Sequence, residues 1–262
     1  MQMRLPILAL LVSAAPLAAE PLLPPAGGAY DSQLSGAYAP PPGTRIVSRD
    51  RKDPPATGLY NICYVNAFQT QPDETAWWLA THPGLILRRD GLPVEDRNWP
   101  GELLLDTGSA SKRKALLVVM TPWLQGCAAA GYDAIEADNL DSFSRSGGLL
   151  TAADNLDFAR MLNERAAALG LASGQKNAVE LGRAGRAAGF GFAIAESCEV
   201  FGECDSYAEV YGPRVLKIEY TDTPRAAFER ACRERGRTGS VVLRDRELAP
   251  AGAPGHHHET CR

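Results

Sequence analysis

From Leu59 onward the chain alternates short apolar or β-branched runs with stretches long and amphipathic enough for helices. Such alternation builds parallel βαβ units, because parallel neighbours need a crossover that carries the chain back to the same end of the sheet. Strands are expected at Leu59–Ala67, Leu103–Asp106, Asp133–Asp138, Ala172–Asn177, Phe190–Glu196, Arg214–Tyr220 and Ser240–Leu243. Arg45–Val47 and a weaker segment near Tyr30–Leu34 bring the number to eight or nine. The chain has 262 residues, close to the roughly 250 of a (β/α)8 barrel. So many strands at that length favour one α/β domain closed as a TIM barrel over an open sheet.

Helix signals fall between the strands. In Ala152–Leu169 the residues Phe158, Leu162, Ala166 and Leu169 recur at helical spacing, Thr151 and Asp154 make a start like a capping box, and Gly170 marks the end. Pro224–Arg235 starts on Pro and is followed by Gly236, and a third helix spans about Lys112–Ala129.

Residues 1–19 are expected to lie outside the fold. Arg4, the apolar run Leu5–Val12 and the small residues up to Ala19 have the layout of a secretory signal peptide. The run is shorter than the ~20 residues a bilayer requires, Pro6 and Pro16 interrupt it, and no later stretch could span a membrane. The domain is therefore 20–262, with a Pro/Gly-rich segment at 20–58, and the mature protein is secreted or periplasmic without a membrane anchor. Six cysteines, all in the mature part, suit an oxidising compartment, and there is no Cys-x-x-Cys. Cys198 with Cys204 could staple one loop and Cys232 with Cys261 could tie down the C-terminus, leaving Cys63 for Cys127. A net charge of −4, with scattered cations, excludes nucleic acid as a partner.

Catalytic groups of parallel barrels sit at the C-terminal ends of strands. Glu136 and Asp138 are two apart and share one face of an extended segment, with Ile135 on the other. Phe190–Glu196 is an apolar strand ending in a carboxylate. In Val215–Tyr220, Lys217 and Glu219 share one face, and Leu216, Ile218 and Tyr220 the other. Two carboxylates facing each other are what glycoside hydrolysis needs: one protonates the leaving oxygen, the other attacks the anomeric carbon or activates water. Structural ion pairing is the competing explanation for such residues.

Gly131-Tyr-Asp-Ala-Ile-Glu-Ala-Asp-Asn-Leu-Asp-Ser-Phe143 resembles the signature strand of glycoside hydrolase family 114, the endo-α-1,4-polygalactosaminidases. Similar pieces follow the family's order: Asn61–Asn66, Trp99–Asp106, Gln175–Asn177, Ala195–Glu196 with Cys198 and Cys204, and Glu219–Thr221. The resemblance implies a (β/α)8 fold and cleavage of α-1,4 linkages in a galactosamine-containing polysaccharide, with no cofactor and no metal. It makes Asp138 the nucleophile and Glu196 the general acid/base, with the reverse order open, and leans toward retention. Glu136, Asn139, Asp141, Lys176 and Glu219 match positions that would hold the sugar; Tyr64, Asn66 and Asp106 are further candidates, and Asp31 and Gln33 occupy the first strand. The chain departs from the family in lacking a Trp on that strand, and in Ala137, Gly191 and Ser197. A carbohydrate-binding barrel without turnover, or a glycosidase on another α-linked amino sugar, are the alternatives.

Other features point away from chemistry. His256–His258 lie in a Pro/Gly-rich tail and cannot all face one ion. Trp77 and Trp78 are expected to divide between core and surface. Ser109 and Ser111 have no nearby His, and Gly147–Gly148 lacks the Lys of a phosphate loop. Arg244 and Arg246 could reach into the barrel or pair with Asp50 or Asp245.

Overall fold

Eight parallel strands follow one another in chain order around a barrel in the computed structural model, which describes residues 20–235 and 239–261. They are β1 (Tyr30–Gln33), β2 (Ile46–Asp50), β3 (Tyr60–Asn66), β4 (Ala134–Asp138), β5 (Ala172–Lys176), β6 (Phe192–Glu196), β7 (Val215–Tyr220) and β8 (Ser240–Arg244). Each is hydrogen-bonded in parallel to the next. Between β8 and β1 the sheet is joined by side chains. Ser240 Oγ donates to Gly28 O at 2.6 Å, and the buried Arg244 donates Nη1 to Asp31 Oδ1 at 2.6 Å. The proposed signal segment and Gly236 lie outside the described residues.

The helices are α1 (Thr75–Thr81), α2 (Ala110–Ala130), α3 (Ser142–Arg145), α4 (Ala152–Ala168), α5 (Gly182–Ala187), α6 (Cys198–Phe201), α7 (Cys204–Tyr211) and α8 (Arg225–Arg235). The capping box of Thr151 and Asp154 starts α4, and Ser109 caps α2 by accepting from Lys112 N. The first two connections, 34–45 and 51–59, carry no helix. No helix among the described residues is long and apolar enough to cross a membrane.

The strand period of two sorts side chains cleanly. Ile62, Ala134, Phe192, Ile194, Leu216, Ile218 and Val242 fill the lower barrel. Their neighbours Cys63, Val65, Ile135, Ala137, Ala193, Ala195 and Val215 point outward and pack with Leu116, Met120, Phe158 and Leu162 of the helices. Gly174 of β5 is the tight point of the interior. A Cβ there would lie 2.6 Å from the Phe192 ring and 2.7 Å from Ile194. Gly174→Ala is therefore expected to destabilise the fold by about 1–3 kcal/mol through overpacking, read as a lower urea midpoint at unchanged m.

The N-terminal segment closes the bottom of the barrel. Leu23 packs on the interior cluster, and Tyr60 Oη donates to Leu22 O at 2.7 Å. A Cβ on Gly191 would meet Leu23 at 2.4 Å, so the N-terminal segment occupies the space a side chain there would need.

Two expectations change. Leu103–Asp106 is not a barrel strand: it lies in the long β3–α2 excursion, making only isolated antiparallel bridges such as Gln69 with Leu104 and Ile86 with Leu105. Its leucines are buried under that excursion, which gives a loop layer the hydropathy of a strand. The histidine tail is not a solvated one either. His258–Thr260 (β9) pairs antiparallel with β8, covering the open edge a parallel strand would otherwise expose, and Cys232–Cys261 holds it there. The other disulfides are Cys63–Cys127 and Cys198–Cys204, so the three expected pairs are the ones present.

Candidate active site

At the C-terminal mouth, β3 to β7 deliver inward-facing polar residues in place of the apolar ones below. Lys176, at the end of β5, is 3% exposed. Its Nζ lies 3.0 Å from Glu136 Oε1, 3.5 Å from Asp138 Oδ1 and 3.5 Å from Glu196 Oε2. One ammonium thus ties together carboxylates from β4 and β6. The near oxygens of Asp138 and Glu196 can be no farther apart than twice the distance each keeps from it.

Each carboxylate is held on both oxygens. Asp138 Oδ2 accepts from Tyr64 Oη at 2.8 Å and Oδ1 from Asn139 N at 2.8 Å. Glu196 Oε2 accepts from Asn177 Nδ2 at 2.7 Å, and Oε1 from the Tyr220 hydroxyl. Glu136 lies beneath, fully buried, with Ser48 Oγ donating to its Oε2 at 2.7 Å. The residues just past three strand ends, Asn139, Asn177 and Ser197, have φ of 62°, 47° and 54°. Asn adopts this left-handed conformation more readily than most residues, and the sharp exit lets the preceding side chain face the cleft.

The electrostatics follow from burial and the shared cation. Burial pushes the Glu196 carboxyl up, but Lys176, the hydrogen bonds from Tyr220 and Asn177, and Arg246 outweigh it and hold it below its ordinary value. Glu136, fully buried, is pushed above the usual range despite Lys176. Burial alone would pull Lys176 down; Asp138, Glu196 and Glu136 keep it well above the ordinary lysine value.

A cavity of about 260 Å³ opens over this cluster. Tyr64, Asp138, Asn139, Asp141, Lys176 and Glu196 all line it; Asn66 stands just behind, accepting from Asn139 Nδ2 at 2.9 Å. Four predicted residues are not brought to the cleft. Asp31 and Gln33 are buried in the β1–β8 seam, tied to Arg244, Tyr38 and Arg49. Asp106 pairs with Lys112 at 3.1 Å in the outer loop. Glu219 faces the helices and accepts from Glu199 N at 3.0 Å; burial pushes its carboxyl up to about 6. Its neighbours Cys198 and Cys204 are consumed by their disulfide.

Further residues of the cleft were not among the predicted site residues. Tyr220, Asn177, Arg145, Arg246, Trp99 and Glu102 also line the cavity. Arg145 crosses its edge, pairing with Asp141 at 2.8 Å and the buried Asp96 at 2.6 Å. Arg246 pairs with Asp222 at 2.8 Å and lies 3.8 Å over the Tyr220 ring. Asn177 and Tyr220 could have been found by parity: one follows Lys176 as Asn139 follows Asp138, the other shares the inward face of Leu216 and Ile218. Trp78 is buried and Trp77 is 42% exposed, away from this cleft.

The family model of glycoside-hydrolase family GH114 matches residues 12–262. The chain belongs to this family. It is thus a glycoside hydrolase, and the two-carboxylate mouth is where the chemistry of such an enzyme is expected. No curated protein matches this GH114 chain. Among solved structures it is similar to Aspergillus fumigatus Ega3 in complex with galactosamine, at 23% identity over 95% of this chain and 99% of that one, TM-score 0.70. It is also similar to the glycoside hydrolase domain of Pseudomonas aeruginosa PelA, at 17% identity over 84% and 94%, TM-score 0.56. At these identities the likeness shows the barrel fold that GH114 shares with both.

Proposed function

We propose that this protein is an exported endo-acting glycosidase that cleaves α-1,4 linkages within galactosamine-containing polysaccharide, with Asp138 and Glu196 as its catalytic pair. The observation that carries this reading is the convergence of both carboxylates on Lys176 in the floor of one cleft. The galactosamine bound in the Ega3 structure supports the substrate class. Three disulfides support export.

In this mechanism Asp138 attacks the anomeric carbon while Glu196 gives its proton to the departing glycosidic oxygen; Glu196 then takes a proton from water, which hydrolyses the glycosyl-enzyme ester. The shared ammonium, 3.5 Å from an oxygen of each, brings the pair within a range that includes the roughly 5–5.5 Å separation of retaining enzymes. Tyr64 and Asn139 orient Asp138; Tyr220 and Asn177 orient Glu196.

Because Glu196 is held ionised, its acid form gains population as pH falls, so the basic limb of kcat/KM is expected on the acid side of the ordinary glutamate range. A rate profile on α-1,4-galactosamine oligomers reads this directly. A basic limb near neutrality would take the acid role from Glu196. NMR of the first-formed product should show the α-anomer; first-formed β-anomer would replace retention with inversion.

A further inference from the structure

Among the described residues of the cleft, Glu102 combines partial burial, an unused oxygen and the absence of an ion pair. It lies in the β3–α2 excursion with Trp99, a residue 49% exposed, and both line the cavity with Asp138. Asn66 Nδ2 donates to Glu102 Oε2 at 3.2 Å, and among the described residues Oε1 has no hydrogen-bond partner. The other acids of the cleft are engaged or solvated. Asp138 and Glu196 accept on both oxygens, Asp141 is paired with Arg145, and Glu247 is exposed on the β8 side, where an ion pair is worth little.

We propose that Glu102 is the residue that reads the free amine of the substrate, its Oε1 accepting from the ammonium group of a galactosamine ring seated over Lys176. This rests on the reading of the cleft as a galactosaminidase site. A primary ammonium supplies the donor that Oε1 lacks and the positive charge that a half-buried carboxylate needs. An N-acetyl group supplies neither charge nor an ammonium donor, and it is bulkier.

The groups facing Glu102 sharpen the effect. Burial, and the negative charges of Asp138 and Asp96, push its carboxyl up to about 7, while the hydrogen bond from Asn66 and the positive charge of Arg145 act the other way; Tyr64, neutral, stands alongside. Seating an ammonium there favours the ionised form, so binding at pH 7 expels a fraction of a proton.

The test is calorimetric binding of fully deacetylated and fully N-acetylated α-1,4-galactosamine oligomers at pH 7, in two buffers of different ionisation enthalpy. It uses the full-length mature protein carrying Glu196→Gln to suppress turnover, with and without Glu102→Gln. The deacetylated oligomer is expected to bind more tightly and to release protons. With Glu102→Gln its affinity falls about 10- to 100-fold, the acetylated oligomer is unchanged within about twofold, and proton release disappears. Glu102→Asp, which keeps the charge, should recover part of the preference if the fold is intact. No preference in the parent, or an equal loss for both oligomers on Glu102→Gln, overturns the proposal and leaves the glycosidase reading standing. Absence of both binding and cleavage of either oligomer by the unsubstituted protein overturns the two together.

Discussion

Glu196→Gln and Asp138→Asn are each expected to lower kcat/KM on α-1,4-galactosamine oligomers by about a thousandfold or more. Either change removes a reacting group while preserving shape and one of the two hydrogen bonds each carboxylate accepts. The amide oxygen introduced by Glu196→Gln can still accept from Tyr220, and the one introduced by Asp138→Asn can still accept from Tyr64. Circular dichroism should remain that of the native fold, and the double variant should be little worse than the poorer single one, since the two act in one step. Retention of more than about a tenth of the activity by either variant would remove that residue from the catalytic pair. Its position would then be explained by its ion pair with Lys176.

The second large effect concerns Lys176. It is buried against Glu136 and touches both proposed catalytic carboxylates. Lys176→Met preserves volume and removes the cation, leaving three acidic groups without their shared partner. Deleting one member of a buried pair costs about 3–5 kcal/mol, and a loss of that order is expected at pH 7. The pH dependence has a definite sign. Without the ammonium the Glu136 and Glu196 carboxyls rise, so the folded variant holds protons that the unfolded chain releases, and its stability falls as pH rises through that range. In the unsubstituted protein the depressed Glu196 acts oppositely: its contribution is present above the ordinary glutamate value and is lost as pH falls through the folded one. The deficit should therefore be small near pH 4 and largest near neutrality, measured by urea unfolding at both. A deficit below about 1 kcal/mol at pH 7, or one that grows on acidification, would contradict this role for Lys176.

Much of the scaffold is readable from periodicity because a strand's side chains alternate without exception. Glu136 and Asp138 had to share a face, and Ile135 had to oppose them, whichever barrel the strand joined. Capping chemistry likewise located α4, since Thr151 and Asp154 satisfy each other's backbone donors wherever the helix packs. What alternation lacks is a label for inside and outside. In a barrel that is apolar below and polar above, with both faces buried, Leu216, Ile218 and Tyr220 face inward while Lys217 and Glu219 face the helices. Hydropathy is then a poor guide to which set reaches the cleft, and Glu219 does not. Leu103–Asp106 failed for a related reason: burial under a long loop and burial in a sheet leave the same apolar run. Trp99 and Glu102 arrive from a loop, where no period constrains direction, and only the folded excursion carries them to the mouth; Arg145 comes from the end of the short helix α3.

The decisive measurement is mass spectrometry of the products formed when purified mature protein acts on deacetylated α-1,4-galactosamine oligomers of defined length. Internal cleavage to several shorter oligomers, absent with Asp138→Asn and Glu196→Gln, is the expected result. Intact oligomers after incubation with folded, disulfide-bonded protein would contradict the assignment of this cleft to galactosamine polymers.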